Sequence, residues 1–259
     1  MAEFLLLWPS FLLILARVAS FFTVLPLFSY RNVPVIYRVG LSLIISWMMV
    51  YTSGSPNIQV DASYITFLLQ EIMIGLALGL IAYILLSAFQ IAGGFIDFQM
   101  GFAVANVIDP QTGAQSPLVG QYLYTFSLLF LLSVDAHHML LDGIYYSYQL
   151  LPLGLEGLAI DDGQAIHLIV LAFARMFMIA LQMAIPVVGC LFLVDVALGI
   201  MARTVPQMNV FVVGLPLKIL VSFIMLFIVM PAFFMLADEL FDLLLTTMRN
   251  VMQALEGME

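Results

Sequence analysis

Charged residues are scarce in this sequence. Only 9% of its 259 residues are Asp, Glu, Lys or Arg, whereas a soluble domain typically contains about 25%. Apolar residues make up 64% of the chain, and the mean hydropathy is +1.15. So few charges cannot cover the surface of a water-soluble globule of this size. The composition therefore predicts an integral membrane protein and excludes a soluble enzyme or a disordered tail as a description of the whole chain.

Basic residues and cysteine are scarcer still. Seven Lys plus Arg residues stand against sixteen Asp plus Glu, a net charge of −9, which excludes the basic surface that nucleic-acid-binding proteins need. The single cysteine, Cys190, lies in an apolar run, so one chain can form neither a disulfide nor a zinc site with several cysteine ligands. We therefore expect lipids and other proteins as partners, and no cofactor or metal.

Enzyme signatures are absent as well. The chain contains no HExxH, GxSxG, Walker A or dinucleotide-binding motif, and the sequence therefore predicts no enzyme. Asp135, His138 and Asp142 share one face of a predicted helix and could hold a metal ion. They adjoin a predicted helix break near a water interface, and we favour their interpretation as hydrogen-bonded polar residues.

Long apolar runs, in contrast, are abundant. Six of them are found at about residues 4–28, 35–52, 64–92, 119–151, 165–197 and 209–237. The fourth run is interrupted at Asp135–His138 and is expected to bend there, because each half is shorter than the roughly 20 residues of a spanning helix. Together with an irregular segment over about 93–118 and a C-terminal tail over 238–259, the runs predict a single all-α membrane domain. The acidic start, Met1-Ala2-Glu3, is unlike a secretory signal, and we expect a retained helix there.

Three of the runs are longer than a bilayer requires. As straight helices, the runs at 64–92, 165–197 and 209–237 would measure about 43–50 Å at 1.5 Å per residue, whereas the hydrocarbon core is about 30 Å thick. Pro186 and Pro231 lie inside two of them and favour kinks, or helices that project beyond the bilayer against other proteins. The excess length predicts a larger assembly.

A few charges interrupt the apolar runs. Ionised groups at such positions cost about 2.5–3.5 kcal/mol on insertion scales and need partners. We favour structural ion pairs that hold helices in register, with a proton relay or an ion path as the alternative. The candidates for such buried or assembly-related charges are Arg17, Glu71, Arg175, Asp195, Arg203 and Lys218.

Small residues follow one of these charges at helical spacing. Glu71, Gly75, Gly79 and Tyr83 recur every four residues and therefore lie along one face of a helix. The spacing of the two glycines is the GxxxG pattern of closely packed membrane helices. It predicts that this face packs tightly on a neighbouring helix.

The centre of the chain combines apolar residues with helix breakers. Residues 93–117 contain glycines at 93, 94, 101 and 113 and prolines at 110 and 117, which argue against one continuous helix. Irregular backbone at membrane depth is tolerated only where protein or water covers it. Before any resemblance is considered, a re-entrant loop or pore constriction and an interfacial loop under neighbouring protein are equally supported.

Two stretches resemble a known family. Residues 97–115 (DFQMGFAVANVIDPQTGAQ) and 197–218 (ALGIMARTVPQMNVFVVGLPLK) are similar to the FliR family of flagellar export-gate subunits, and the similarity extends over nearly the whole chain. A virulence-secretion homologue is the nearest related family. The resemblance implies an all-helical, multi-pass subunit in the inner membrane of a bacterial cell, at the flagellar basal body. It also implies assembly with FliP and FliQ into a hollow gate, with FlhB at its cytoplasmic mouth and FlhA nearby.

The resemblance also implies a function for the centre of the chain. Such a gate passes unfolded flagellar subunits while it holds back ions, and the segment from about Phe102 to Pro117 is similar to the family's plug inside the pore. The pore and plug candidates are Met100, Phe102, Asn106, Asp109, Pro110, Gln111 and Gly113. Arg203 and Lys218 bracket the second motif and are expected to anchor subunit interfaces. A small-molecule or ion transporter remains the alternative, because it too would carry intramembrane charges and broken helices.

Overall fold

Helices account for nearly all of the structure. The computed structural model describes residues 2–29, 33–52, 58, 60–61, 63–102, 117–154, 157, 163–205, 207 and 209–256, with side chains from Leu7 onward. Within these residues no strand is present, and the all-α prediction is confirmed. The helices are α1 (Ala2–Val24), α2 (Pro26–Ser29), α3 (Val35–Thr52), α4 (Ser63–Leu86), α5 (Ala88–Met100), α6 (Leu118–Ser133), α7 (Ala136–Leu150), α8 (Gln164–Thr204) and α9 (Val210–Glu256).

The helices are long and apolar enough to cross a membrane. Among the described residues five candidate spans are found, with Ser63–Met100 as one of them, and α6 with α7 makes a sixth if this bent pair is one span. The axes of α6 and α7 differ by 74°, so the bend expected at Asp135 is present. Asp135 itself has a positive φ of 57°, a conformation rare outside glycine and the Asn/Asp group.

Two expected boundaries differ from the structure. Residues 93–100, expected to be irregular, continue helix α5, which ends at Gly101 with a φ of 92°, the left-handed conformation typical of helix C-termini. Residues 238–256, expected to be a tail, belong to α9. Leu244, Met248, Val251 and Leu255 are buried along this part of α9, and their spacing of three to four residues forms the apolar stripe of an amphipathic helix.

The chain divides into two compact units. The first comprises Met1–Leu85, Asp135–Phe173 and Asp242–Glu259, and the second Leu86–Val134 and Ala174–Phe241. In the first unit, α1 packs against α3, and the Phe11 ring meets the edge of Trp47 at 5.7 Å. In the second, α5 packs along α6, and Phe89 and Phe130 contact the α9 rings of Phe233 and Phe234 at 5.4 and 4.7 Å.

The two longest helices are only partly covered by their own chain. Helices α8 and α9 have 41 and 47 residues, which correspond to about 62 and 70 Å, and both continue past their internal prolines. In the most apolar 18-residue stretch of α8, 33% of the residues are buried, and in that of α9 only 11%. Most of this apolar surface is therefore available to lipid or to other proteins.

Candidate functional site: buried charges and the base of the central segment

A bidentate ion pair joins α1 and α4 in the first unit. Arg17 donates from Nε to Glu71 Oε2 at 2.6 Å and from Nη2 to Glu71 Oε1 at 2.9 Å. The two side chains are only 1% and 5% exposed. Paired guanidinium and carboxylate groups of this geometry form the strongest class of protein hydrogen bond. Two of the predicted intramembrane charges are thus each other's partners.

The remaining guanidinium donors bind the end of α7. Arg17 Nη1 donates to Ser147 Oγ at 2.9 Å, and Nη2 donates to the carbonyl oxygen of Leu151 at 3.0 Å. The guanidinium carbon also lies 3.9 Å from the centre of the Tyr148 ring, within the range of a cation–π contact. Because the charges are sequestered and hydrogen-bonded across α1, α4 and α7, the geometry favours a structural pair over a proton relay.

The glycines that follow Glu71 allow this close approach. A Cβ atom at Gly75 would overlap Ser20 Oγ and the carbonyl oxygen of Arg17, and one at Gly79 would lie 2.9 Å from the Val24 side chain. Helix α4 therefore packs directly on α1 along the face that the GxxxG spacing predicted. The close packing positions Glu71 beside Arg17.

A second charge cluster joins α5, α8 and α9 in the second unit. Lys218 Nζ lies 2.9 Å from both carboxylate oxygens of Asp195, and Gln99 Nε2 donates to Asp195 Oδ2 at 2.8 Å. The Asp195 side chain is 39% exposed and that of Lys218 16%. In contrast to the pair in the first unit, this one is open on one side.

Asp97 holds the base of the central segment, where the helices on either side of residues 103–116 meet. Its Oδ2 accepts hydrogen bonds from the backbone N–H groups of Val119 at 2.9 Å and Gly120 at 3.4 Å, at the positive N-terminal end of α6. A Cβ atom at Gly93 would overlap the backbone of Gly120, so α5 and α6 are in backbone contact here. The two helices that flank residues 103–116 are thus fixed to each other.

The other sequence-predicted site residues have varied positions. Met100 is fully buried and Phe102 is half-buried, whereas Asn106, Asp109, Pro110, Gln111 and Gly113 lie outside the described residues. Arg175 and Arg203 are exposed, and neither has an ion pair with an acid in the described part of the chain. The plug and anchor assignments of these residues stay predictions.

The exposed bend between α6 and α7 carries three possible metal ligands. Ligand atoms of Asp135, His137 and His138 lie within 4.8 Å of one another, and His138 Nδ1 is 3.6 Å from Asp135 Oδ1. Asp142, which the sequence grouped with Asp135 and His138, is not in this cluster. It lines a groove between α7 and the end of α9. Clusters of exposed side chains are common without an ion, so this one identifies no metal centre.

Sequence reasoning missed several residues of these networks. Ser147 and Tyr148 complete the Arg17 site, and Asp97 and Gln99 contribute the contacts on α5. Asp97 had one usable signal, since it is the only charged residue in the apolar first half of the central segment. Ser147 and Tyr148 had none, because helical serine and tyrosine are common in any membrane protein.

Comparison with known proteins identifies the family. Residues 8–244 match the bacterial export proteins, family 1. The chain is 53% identical over 247 residues to the flagellar biosynthetic protein FliR of Bacillus subtilis, covering 95% of each chain, and 27% identical over 249 residues to FliR of Escherichia coli, covering 96% of this chain and 92% of that one. It is also 29% identical over 223 residues, 85% of each chain, to the Yop proteins translocation protein T of Yersinia pestis. The chain therefore belongs to the bacterial export proteins, family 1, and within them to the FliR family.

Proposed function

We propose that this chain forms part of the wall and the seal of a gate through which unfolded flagellar subunits cross the cytoplasmic membrane. Its family makes it a component of a type III export apparatus, and its apolar helices make it a multi-pass membrane protein. Beyond this, we propose that the chain lines a pore and forms a barrier against ion leak. The proposed role requires no catalytic step from this chain.

The observation that carries the proposal is the uncovered length of α8 and α9. Helices of about 62 and 70 Å exceed the roughly 30 Å of hydrocarbon that lipid can cover. Exposed apolar side chains occur along α8 from Ile166 to Met201, a length of about 52 Å. Apolar surface outside the bilayer must be covered by protein. A subunit of a helical wall meets this requirement because each copy is covered by its neighbours.

The proposed partners and place follow from the family. FliP and FliQ would complete the wall, FlhB would lie at its cytoplasmic mouth and FlhA nearby, in the inner membrane at the flagellar basal body. We propose the segment from about Phe102 to Pro117 as the plug, since its sequence combines apolar residues with the helix breakers Pro110, Gly113 and Pro117. The Asp97 contacts support this assignment, because they fix the two flanking helices and so limit how far the ends of the segment can separate.

Deletion of residues 106–116 tests the seal. The variant would be co-expressed with FliP and FliQ, and the purified complex reconstituted in planar bilayers beside the wild-type complex. We expect a higher ion conductance, because the deletion removes the material that excludes ions from the conduit. Native mass measurement gives the composition of each complex, and a matched control carries Gly40→Ala, a position where an added Cβ meets nothing within 4 Å. Unchanged conductance in a complex of intact composition would disprove the plug.

A further inference from the structure

Helix α8 presents an open seam with the spacing of a packed helix pair. Starting at Arg175, alternate steps of three and four residues reach eight positions, all of them exposed. They are Arg175, Met178, Gln182, Ile185, Gly189, Phe192, Val196 and Gly199. This is the a/d spacing of the heptad repeat, by which one helix packs along another. We call these eight residues the α8 seam.

The seam lies opposite the face that α8 buries in its own chain. Met176, Ala180, Met183, Val187 and Leu191 are buried, and at 100° per residue this face points away from the seam. Added Cβ atoms at Gly189 and Gly199 would meet nothing within 4 Å. The seam is thus unoccupied within the described residues and, at its two glycines, open to close approach by another backbone.

Arg175 gives the seam a charge that no described residue pairs. Its guanidinium has neither an ion pair nor a hydrogen bond with any described residue, and Met178, about one helical turn further along the same face, is an exposed apolar residue. Two other cations inside apolar helices of the described part of the chain, Arg17 and Lys218, pair with carboxylates. A charged side chain on an apolar surface needs an anionic or hydrogen-bonding partner.

We infer that the α8 seam packs against an apolar helix of a different subunit of the export apparatus, and that this helix places a carboxylate opposite Arg175. The inference rests on the proposed function, since it identifies the chemistry of one wall contact. Gln182 would find a hydrogen-bond partner on the same helix, about 10 Å further along. Polar residues at a-positions of this kind set the register of a helix pair.

A lipid headgroup fits the seam less well. A phosphate could meet Arg175 at one depth in the bilayer, but Gln182, seven residues further along the same face, would then lie in the hydrocarbon without a partner. A second copy of this face fits no better, because none of the eight seam residues is Asp or Glu. An acidic helix of another subunit satisfies both polar residues.

Replacement of Arg175 tests the inference, because a lipid environment and a partner carboxylate predict different effects of the substitution. In lipid, Arg175→Leu should insert as well as the native chain or better, because leucine favours the hydrocarbon and arginine does not. Opposite a partner carboxylate, the same change leaves that carboxylate unpaired. We therefore expect an at least tenfold lower yield of the complex when Arg175→Leu is co-expressed with FliP and FliQ, while the amount of this chain alone in membranes is not reduced.

Two further variants complete the series. Arg175→Lys keeps the charge but loses the planar fork, and should give a yield between those of the native chain and Arg175→Leu. Phe173→Leu, at an exposed position of α8 outside the seam, should leave the yield unchanged. A yield of Arg175→Leu equal to or above that of the native complex would overturn the inference.

A photoreactive residue at Met178 identifies the occupant. We expect an adduct with a helix of another apparatus subunit that has an Asp or Glu within about one turn of the adduct site, and loss of that adduct in Arg175→Leu. Adducts with lipid only, or with a second copy of this chain, would contradict the inference. Failure of the plug proposal is separate, since it would appear in the conductance of the deletion variant and leave this adduct in place.

Discussion

At the scale of single residues, the decisive feature is that Arg17 and Glu71 are buried in a network that satisfies both charges. Arg17 has four hydrogen bonds to three residues, so its burial leaves little of the guanidinium unpaired. Such a pair fixes the register of the two helices that it joins more clearly than it adds net stability, because the cost of desolvation offsets much of the attraction between the charges. The cost appears when one member is removed and the other stays buried.

The pair can be tested by single and double substitutions. Arg17→Leu or Glu71→Leu alone should destabilise the protein by about 3–5 kcal/mol, because each leaves an uncompensated buried charge. The double variant should lose less than the sum of the two, with a coupling free energy of about 1–3 kcal/mol. Unfolding in mixed micelles by sodium dodecyl sulfate gives these values, and additive losses would contradict the pairing.

The same variants separate structure from proton transfer. We expect Glu71→Leu to reduce assembly of the complex in proportion to its loss of stability, with export reduced only to that extent. Glu71→Gln is the matched control, because it keeps the shape and a hydrogen-bond acceptor without the charge. Normal assembly with loss of proton-coupled export in either variant would favour the relay instead.

The residue scale also shows where sequence reasoning ended. The sequence identified Arg17 and Glu71 as charges in need of partners and Gly75 as part of a packing face. It could not pair Arg17 with Glu71, which lie 54 residues apart, because several charged residues were chemically equivalent candidates. Partner choice depends on which helices meet, and that is a property of the fold.

At the scale of helices, the predictions succeeded where hydropathy alone decides. The predicted run at 35–52 and helix α3 coincide, and the break at Asp135 is present. The glycines at 93 and 94 were misleading, because Gly93 meets the α6 backbone at Gly120 inside a continuous helix. The end of α9 was missed because its charged residues lower the mean hydropathy while its apolar stripe persists.

Asp97 allows the contact between α5 and α6 to be tested. Asp97→Leu removes the acceptor of the Val119 and Gly120 N–H groups, and each orphaned buried donor costs about 1–3 kcal/mol. We expect faster hydrogen exchange at these two amides and an earlier loss of α6 on heating. Asp97→Asn keeps one acceptor oxygen and should preserve most of the protection. Native exchange rates in Asp97→Leu would show that the carboxylate does not hold this end of α6.

At the scale of the whole molecule, the chain is a component of an export apparatus that leaves many large apolar side chains exposed. The first unit has a buried ion network and the second an open charge pair, while α8 and α9 leave most of their apolar stretches uncovered. Hydropathy reports this surface in the same way whether lipid or protein covers it. The sequence could therefore predict that an assembly exists, and only the resemblance to the FliR family suggested which one.

Expression of the chain alone tests this view against the transporter alternative. Without partners, lipid can cover only about 30 Å of α8 and α9, and the remaining apolar surface favours aggregation and proteolysis. We expect a several-fold shorter half-life in pulse-chase labelling than with co-expressed FliP and FliQ, and a defined complex by native mass measurement only in the second case. A transporter needs no such partners, because its helices cover one another around a solute site. A stable, monodisperse single chain that binds a solute and carries it into liposomes would therefore exclude the gate and establish the transporter.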